Sequence, residues 1–337
     1  MGMIGGPNLT YEPDTGRVRV LEARELARPT IDALLGKHWT EDEIGGPSPY
    51  GSHSLLTYMR CERAAFYSQI EGLAPIGPKS GLDIGTLLHA CLALHYRTSG
   101  VKTYAPIDAI EDHYPEYAET ARRVLGALRQ HRWPVEATSW WIRGIEELHI
   151  ATLKAAPRGQ RRKLKAPISC RYDLIIAKHG PEEKTPPPAG PIATGVYIVD
   201  HKFLASLRRA YIQGLALDGQ VLMNALVWRH AKLDRVYGPL KGFIVDVVTK
   251  AKEPRLEHIE IALTDEDIDR AEQIYGPWAA ELYLRKREPH KSREDRWAMN
   301  LSGCKLEWVC DFHDLCETHG RARNLYTIRR REEPVTP

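Results

Sequence analysis

The order of segments in this chain, helices first, then a hairpin, then strand, helix, two strands and a closing helix, predicts an α/β domain with a mixed central sheet flanked by helices. Three observations support it. The stretches "APISCRYDLIIAK" (166–178), "VYIVDHKF" (196–203) and "KGFIVDVVTK" (241–250) are short apolar runs rich in β-branched residues. Before and between them lie longer segments whose apolar residues recur at helical spacing. The basic, Gly-containing "APRGQRRK" (156–163) separates two strand-like segments and reads as a flexible hairpin tip.

Residues 1–51 form a Gly- and Pro-punctuated N-terminal extension with one short helical stretch, "TIDALLGKHW" (30–39), and no candidate site. "SHSLLTYMRCERAAFYSQI" (52–70) follows as a helix, its serines suited to an N-cap and Leu55, Met59 and Phe66 on one side. In "GLDIGTLLHACLALHY" (81–96), a second helix, Leu87, Cys91 and Leu94 make an apolar stripe, and His89 lies on a different face, one turn after Gly85. These two helices make a segment over 52–100; residues 101–140 form a polar helical insertion.

The core of the domain spans 141–290. "WWIRGIEELHIATLK" (140–154) pairs with 166–178 as a hairpin, and "HGPEEKTPPPAGPIATG" (179–195) is a loop, because its prolines exclude helix and central strand. After the strand at 196–203 come a long amphipathic helix over about 206–232, the strands "KGFIVDVVTK" and "RLEHIEIAL" (255–263), and a helix opening at Thr264 with Asp267 as capping-box partner. Residues 291–320 carry three cysteines, and 321–337 form a tail. Cys91 and Cys170 sit in apolar stripes and read as buried core thiols.

With 337 residues, 43% hydrophobic and 27% charged, the chain can bury a large core. No apolar run approaches the roughly 20 residues that span a bilayer, and the N-terminus lacks a charged segment followed by an apolar one, so a cytoplasmic location is expected and membrane insertion is not. Net charge is only +3, but the basic residues cluster in "PRGQRRKLK" (157–165), "LRRAY" (207–211) and "IRRR" (328–331). Such clusters are either solvated faces or phosphate contacts. Six cysteines in a chain this long are no disulfide framework; clustered in an intracellular chain they point to metal.

Chemistry concentrates at "VYIVDHKF". Side chains alternate along a strand, so Val196, Ile198, Asp200 and Lys202 share a face, with a carboxylate beside an ammonium at the end of an apolar run. Alone, that is the pattern of a surface ion pair. Asp173 in "CRYDLIIA" changes the reading, because an unpaired carboxylate in an apolar strand is costly. Two acidic residues on adjacent strands plus a lysine make a hard-oxygen site for Mg²⁺ or Mn²⁺, with a cation left to orient or activate water, which is what phosphodiester hydrolysis requires.

Asp173 followed after a loop by Asp200-His201-Lys202 resembles the two motifs of the PD-(D/E)XK nuclease superfamily, and the flanking segments are similar to its RecB-type exonuclease branch. The branch's "GxxxH" helix is matched by "GTLLH" (85–89), which implies that His89 joins Asp173, Asp200 and the backbone carbonyl of His201 around the metal. Its "QxxxY" helix is matched by "GQVLMNALVW" (219–228) at Gln220 alone, since Asn224 stands at the tyrosine place. The glutamate that precedes the hairpin in this branch corresponds to Glu146 or Glu147. By the same resemblance Lys202 positions or activates the attacking water and Gln220 supports it, while Arg158, Arg161, Arg162 and Lys163 track phosphates or form a solvated hairpin tip.

Iron–sulfur members of the branch place one cysteine ahead of the nuclease core and three after it. Here Cys61 precedes it, and Cys304, Cys310 and Cys316 follow at equal six-residue intervals. The resemblance implies a [4Fe–4S] cluster joining the two ends of the chain. The AddB-type and CRISPR-adaptation proteins space the first pair more tightly, so a phage-type member is favoured. His313 and His319 leave a Cys₃His zinc site as the alternative. The function implied is a Mg²⁺- or Mn²⁺-dependent exonuclease acting on single- or double-stranded DNA ends in recombination, repair or phage replication. The alternatives are a non-catalytic DNA-binding scaffold and a nuclease subunit working with a separate helicase.

Overall fold

The computed structural model describes residues 9–12, 17–20, 31–40, 43, 48, 50–75, 80–179, 192, 195–215, 218–287, 297–300, 310–318, 322–323 and 326–328. Its centre is a five-stranded mixed sheet of β4 (Trp140–Ala155), β5 (Leu164–Lys178), β6 (Val196–Leu204), β7 (Leu240–Thr249) and β8 (Leu256–Ala262), side by side in that order. All neighbours are antiparallel except β6 and β7. A parallel pair needs a crossover, supplied here by α8 (Arg209–Gly214), α9 (Gly219–Ala231) and α10 (Asp234–Tyr237).

Each face of the sheet has its own core. On one, α2 (Ser52–Arg60), α9 and α11 (Asp265–Arg287) cover Tyr172, Ile198, Phe243 and Val245, with Tyr58, Leu226 and Trp297 buried among them. On the other, α1 (Ile31–Leu35), α4 (Ser80–Arg97), α5 (Ala105–Ile110) and α6 (Pro115–His131) enclose Leu87, Cys91, Ile107, Leu125 and Val248, and α7 (Trp133–Ser139) leads into β4. The insertion at 101–140 is helical as its sequence predicts. It is not simply polar, because α5 and α6 each turn an apolar side into this second core. A two-stranded hairpin, β1 (Leu9–Glu12) with β2 (Arg17–Val20), lies in the N-terminal extension.

The 140–178 hairpin, the three later strands and the Thr264 capping box stand where the sequence puts them; Thr264 N donates to Asp267 Oδ2 at 3.0 Å and Asp267 N to Thr264 Oγ1 at 3.2 Å. Cys91 and Cys170 are buried, and burial raises both thiols well above their ordinary range. Most of the loop at 179–195 lies outside the described residues.

Two helices differ from expectation. The segment 52–70 is broken at Cys61, whose backbone is extended (φ −159°, ψ 111°), into α2, α3 (Glu62–Ala65) and a π-turn, Phe66–Ile70; Gly51 rather than a serine precedes its first turn. The groups freed by the break find distant partners, Arg63 N donating to Ala298 O at 3.1 Å and Asn300 Nδ2 to Arg60 O at 2.8 Å. The long helix expected over 206–232 is two helices, because Asp218 caps the second and glycines flank the break. That second helix is not amphipathic: every residue from Val221 to Trp228 is buried.

The C-terminal segment packs back against residues 67–75. β3 (Leu73–Pro75) pairs with β9 (Tyr326–Ile328), Arg323 Nη2 lies 2.8 Å from Glu71 Oε1, and the rings of Tyr67, Phe312 and Tyr326 follow one another with centroids 5.6 and 5.8 Å apart. α12 (His313–Glu317) lies in the same C-terminal segment.

Candidate active site

The site forms where two neighbouring strands part. β5 and β6 are paired only through Leu174↔Val199, Ile175↔Ile198 and Ile176↔Tyr197, whereas β6 and β7 stay together as far as Leu204↔Thr249. Just beyond the last β5–β6 pair, the Asp173 carboxylate replaces the missing ladder partner, Oδ2 accepting the backbone N–H of His201 at 2.8 Å. Strand alternation then sends Asp200 and Lys202 to the face covered by α9, as Val196 and Ile198 are, and His201 to the opposite face, stacked on Tyr96 with centroids 6.0 Å apart. His201 therefore offers this side of the sheet its backbone alone.

Asp200, Lys202 and Gln220 close a three-membered ring. Lys202 Nζ lies 2.8 Å from Asp200 Oδ2 and donates to Gln220 Oε1 at 2.7 Å, while Gln220 Nε2 donates to Asp200 Oδ1 at 2.9 Å. Gln220 is held in the first turn of α9, its backbone N–H bound at 2.7 Å by the capping Asp218 carboxylate. From the other side α4 brings His89, whose Nδ1 is 3.4 Å from Asp173 Oδ2 and whose ring meets Phe203 edge-on.

The structure separates the two glutamates that the sequence leaves open. β4 shifts register between Ile142 and Gly144, and between the pairs Ile145↔Leu174 and Glu147↔Tyr172 it sets Glu146 opposite Asp173. Glu146 has φ of 50°, a left-handed conformation that costs a non-glycine residue about 1–2 kcal/mol. It is 7% exposed, and one ligand atom each from His89, Glu146 and Asp173 fall within 4.8 Å of one another. Glu147 instead pairs with His149 at 3.2 Å and accepts the Tyr237 hydroxyl. Gly144, a glycine inside a strand pattern, is the sequence signal that marks such a bulge.

These acids crowd one another. Burial, and then the Asp173 charge, holds the Glu146 carboxyl well above the usual carboxylate range. Burial also raises Asp200, against the pull of Lys202 and with Asp173 adding to the rise. Burial works against the Lys202 ammonium, yet Asp200 and Asp173 outweigh it and its pKa is raised. Three carboxylates and an imidazole, facing one lysine and mutually repelling, are a donor set that fits a hard divalent cation.

Elsewhere the placements differ. Arg161, Arg162 and Lys163 are exposed at the hairpin tip. Arg158, also exposed, lies over the Trp278 ring at 3.4 Å and pairs with Glu281 at 2.6 Å and Glu62 at 3.0 Å, so it ties the hairpin to α11 and α3. Cys61 and Cys310 are buried in the core that also includes Cys316 at its margin, while Cys304 and His319 lie outside the described residues. Among the described residues, the thiols of Cys61, Cys310 and Cys316 do not make a cluster within 4.8 Å. His313 faces Asp314 at 3.7 Å and Glu317 at 3.8 Å. No described helix is long and apolar enough to cross a membrane.

A solved structure of a candidate exonuclease from Eubacterium rectale aligns with a TM-score of 0.44 at 15% identity, over 94% of this chain and 97% of its own. No curated protein matches the chain. A family profile described as the PD-(D/E)XK nuclease superfamily matches residues 52–317, from the start of α2 through α12 and so across the whole sheet and its parted strands. On that match the chain belongs to the PD-(D/E)XK nuclease superfamily, whose members generally use divalent metals.

Proposed function

We infer that the protein is a metal-dependent deoxyribonuclease that hydrolyses phosphodiester bonds from DNA ends. The observation that carries this reading is the Asp200–Lys202–Gln220 ring beside the Asp173, Glu146 and His89 cluster in the parting of β5 and β6. His89, Glu146, Asp173, Asp200 and the His201 carbonyl would hold Mg²⁺ or Mn²⁺. Bound there, the cation supplies neutralisation of phosphate charge and a water of lowered pKa. Lys202, held between Asp200 Oδ2 and Gln220 Oε1, is placed to position or activate the attacking water. Gln220 fixes the direction of that side chain and of Asp200 at once. Arg161, Arg162 and Lys163 suit phosphate contact at the hairpin tip, and the resemblance of "GTLLH", Asp173, Asp200-His201-Lys202 and Gln220 to the RecB-type exonuclease branch supports action on ends.

A [4Fe–4S] cluster on Cys61, Cys304, Cys310 and Cys316, or zinc in its place, remains part of this reading. The meeting of residues 61–75 with 310–328 supports it, since a staple there would join elements that already pack together. The test is digestion of linear and covalently closed DNA, single- and double-stranded, with Mg²⁺ or Mn²⁺, comparing anaerobically purified wild type with Lys202→Ala. Degradation of linear DNA alone, lost in a folded variant, is the expected result. Cleavage by the variant at the wild-type rate, or binding without cleavage by both, would instead establish a non-catalytic scaffold.

A further inference from the structure

The left-handed backbone of Glu146 is held from both sides. Arg97, the last residue of α4, donates from Nη2 to Ile145 O at 2.8 Å, and Arg171 on β5 donates from Nη1 to Glu146 O at 2.8 Å. These carbonyls belong to the two peptide planes that flank the Glu146 α-carbon. Fixing both planes fixes φ and ψ there, and with them the direction of the Glu146 side chain. Among the described residues three non-glycines have positive φ; Ser99 lies in a turn and Lys232 ends a helix, so Glu146 alone has it within a strand.

Each arginine is tied to a residue already placed at the centre. Arg97 lies eight residues, about two turns, after His89 on the same helix, and Arg171 lies two residues before Asp173 on the same strand. We propose that Arg97 and Arg171 are positioning residues that clamp the left-handed backbone of β4 at Glu146, so that Glu146, His89 and Asp173 move as one unit when a metal binds. This rests on the metal-centre reading of the site. Arg97 also borders an open cavity of about 540 Å³ lined by Arg143, Gly144, Glu146 and Glu147, which makes a direct phosphate contact the competing role for it.

The two roles part in a measurement without turnover. Mn²⁺ affinity of the full chain is read by electron paramagnetic resonance for wild type, Glu146→Ala, Arg97→Met, Arg97→Lys and Arg171→Met, with DNA affinity measured separately in the absence of metal. A clamp predicts that Arg97→Met and Arg171→Met each weaken Mn²⁺ binding by roughly 10–100-fold, that Arg97→Lys, which keeps one donor, recovers most of the loss, and that metal-free DNA affinity is unchanged in Arg97→Lys. Wild-type Mn²⁺ affinity in a folded Arg97→Met, with weakened DNA binding, overturns the clamp while leaving the metal centre intact. No Mn²⁺ binding by wild type, or none lost in Glu146→Ala, overturns the centre and the clamp with it. Should Arg171→Met fail to fold, the Arg97 pair decides alone.

Discussion

Glu136 shows at the residue scale how much ionisable chemistry is buried behind the site. Burial, with the Asp246 charge adding to it, pushes its carboxyl up to about 7, although Tyr96 donates to Oε2 at 2.9 Å and Arg132 Nε lies 3.1 Å from Oε1. Arg132 Nε is shared with Asp246 Oδ2 at 3.4 Å, and Asp246 Oδ1 pairs with His258 at 2.7 Å, so the group sits beneath His201 on the face opposite Asp200. A carboxyl raised on folding stabilises fully below its unfolded value and loses that contribution as pH rises through about 7. Glu136→Gln therefore gains on wild type by about 3 kcal/mol between pH 4.5 and 8, read as the difference in urea unfolding free energy; parallel pH profiles would refute the assignment. Asp218→Ala should cost about 1 kcal/mol through the lost cap and lower the cleavage rate by loosening Gln220, which steady-state kinetics beside unfolding curves can separate. Asp200 and Lys202 are legible in the sequence because strand alternation puts them on one face, and Gln220 is legible through the resemblance of its segment to a family motif. Glu146 is not, because its direction depends on a left-handed backbone whose flanking carbonyls are bound by Arg97 and Arg171 from other elements.

At the scale of elements, the strands were legible and the helix breaks were not. β5, β6 and β7 each contain a short run of apolar, β-branched residues, a local pattern that marks a buried strand. The break at Cys61 instead depends on Ala298 and Asn300 taking up the freed backbone groups, more than 230 residues away. α4 carries its own test. A Cβ at Gly85 would meet nothing within 4 Å, so Gly85→Ala should raise unfolding free energy by about 0.5–1 kcal/mol through helix propensity alone. Any fall in cleavage by this more stable variant then reports substrate passing over the α4 surface one turn from His89, and thermal melts beside DNA digestion measure both.

For the whole molecule, the β3–β9 junction and the proposed metal centre both bear on global stability. Phe312 is buried between Tyr67 and Tyr326, and Phe312→Ala should cost about 3–5 kcal/mol and open the β3–β9 junction, seen as early proteolysis in the C-terminal segment. Protection equal to wild type would mean that the junction is held by other contacts. Mn²⁺ in about 100-fold excess over its dissociation constant should raise unfolding free energy by about 2.7 kcal/mol, and Asp173→Ala should abolish that gain while leaving the metal-free protein folded.

The sequence by itself determined the α/β order of elements and the paired carboxylates with their lysine, because these follow from local periodicity and strand alternation, while His89 and Gln220 were marked by the resemblance of their short motifs to a known family. Only the tertiary structure decided that Glu146 rather than Glu147 lies beside His89 and Asp173, that Arg158 is ion-paired with Glu281 and Glu62, and where the long helices break. Those outcomes turn on hydrogen bonds and ion pairs between residues far apart in the chain, and no local pattern encodes which distant partner will satisfy a freed carbonyl or a buried charge.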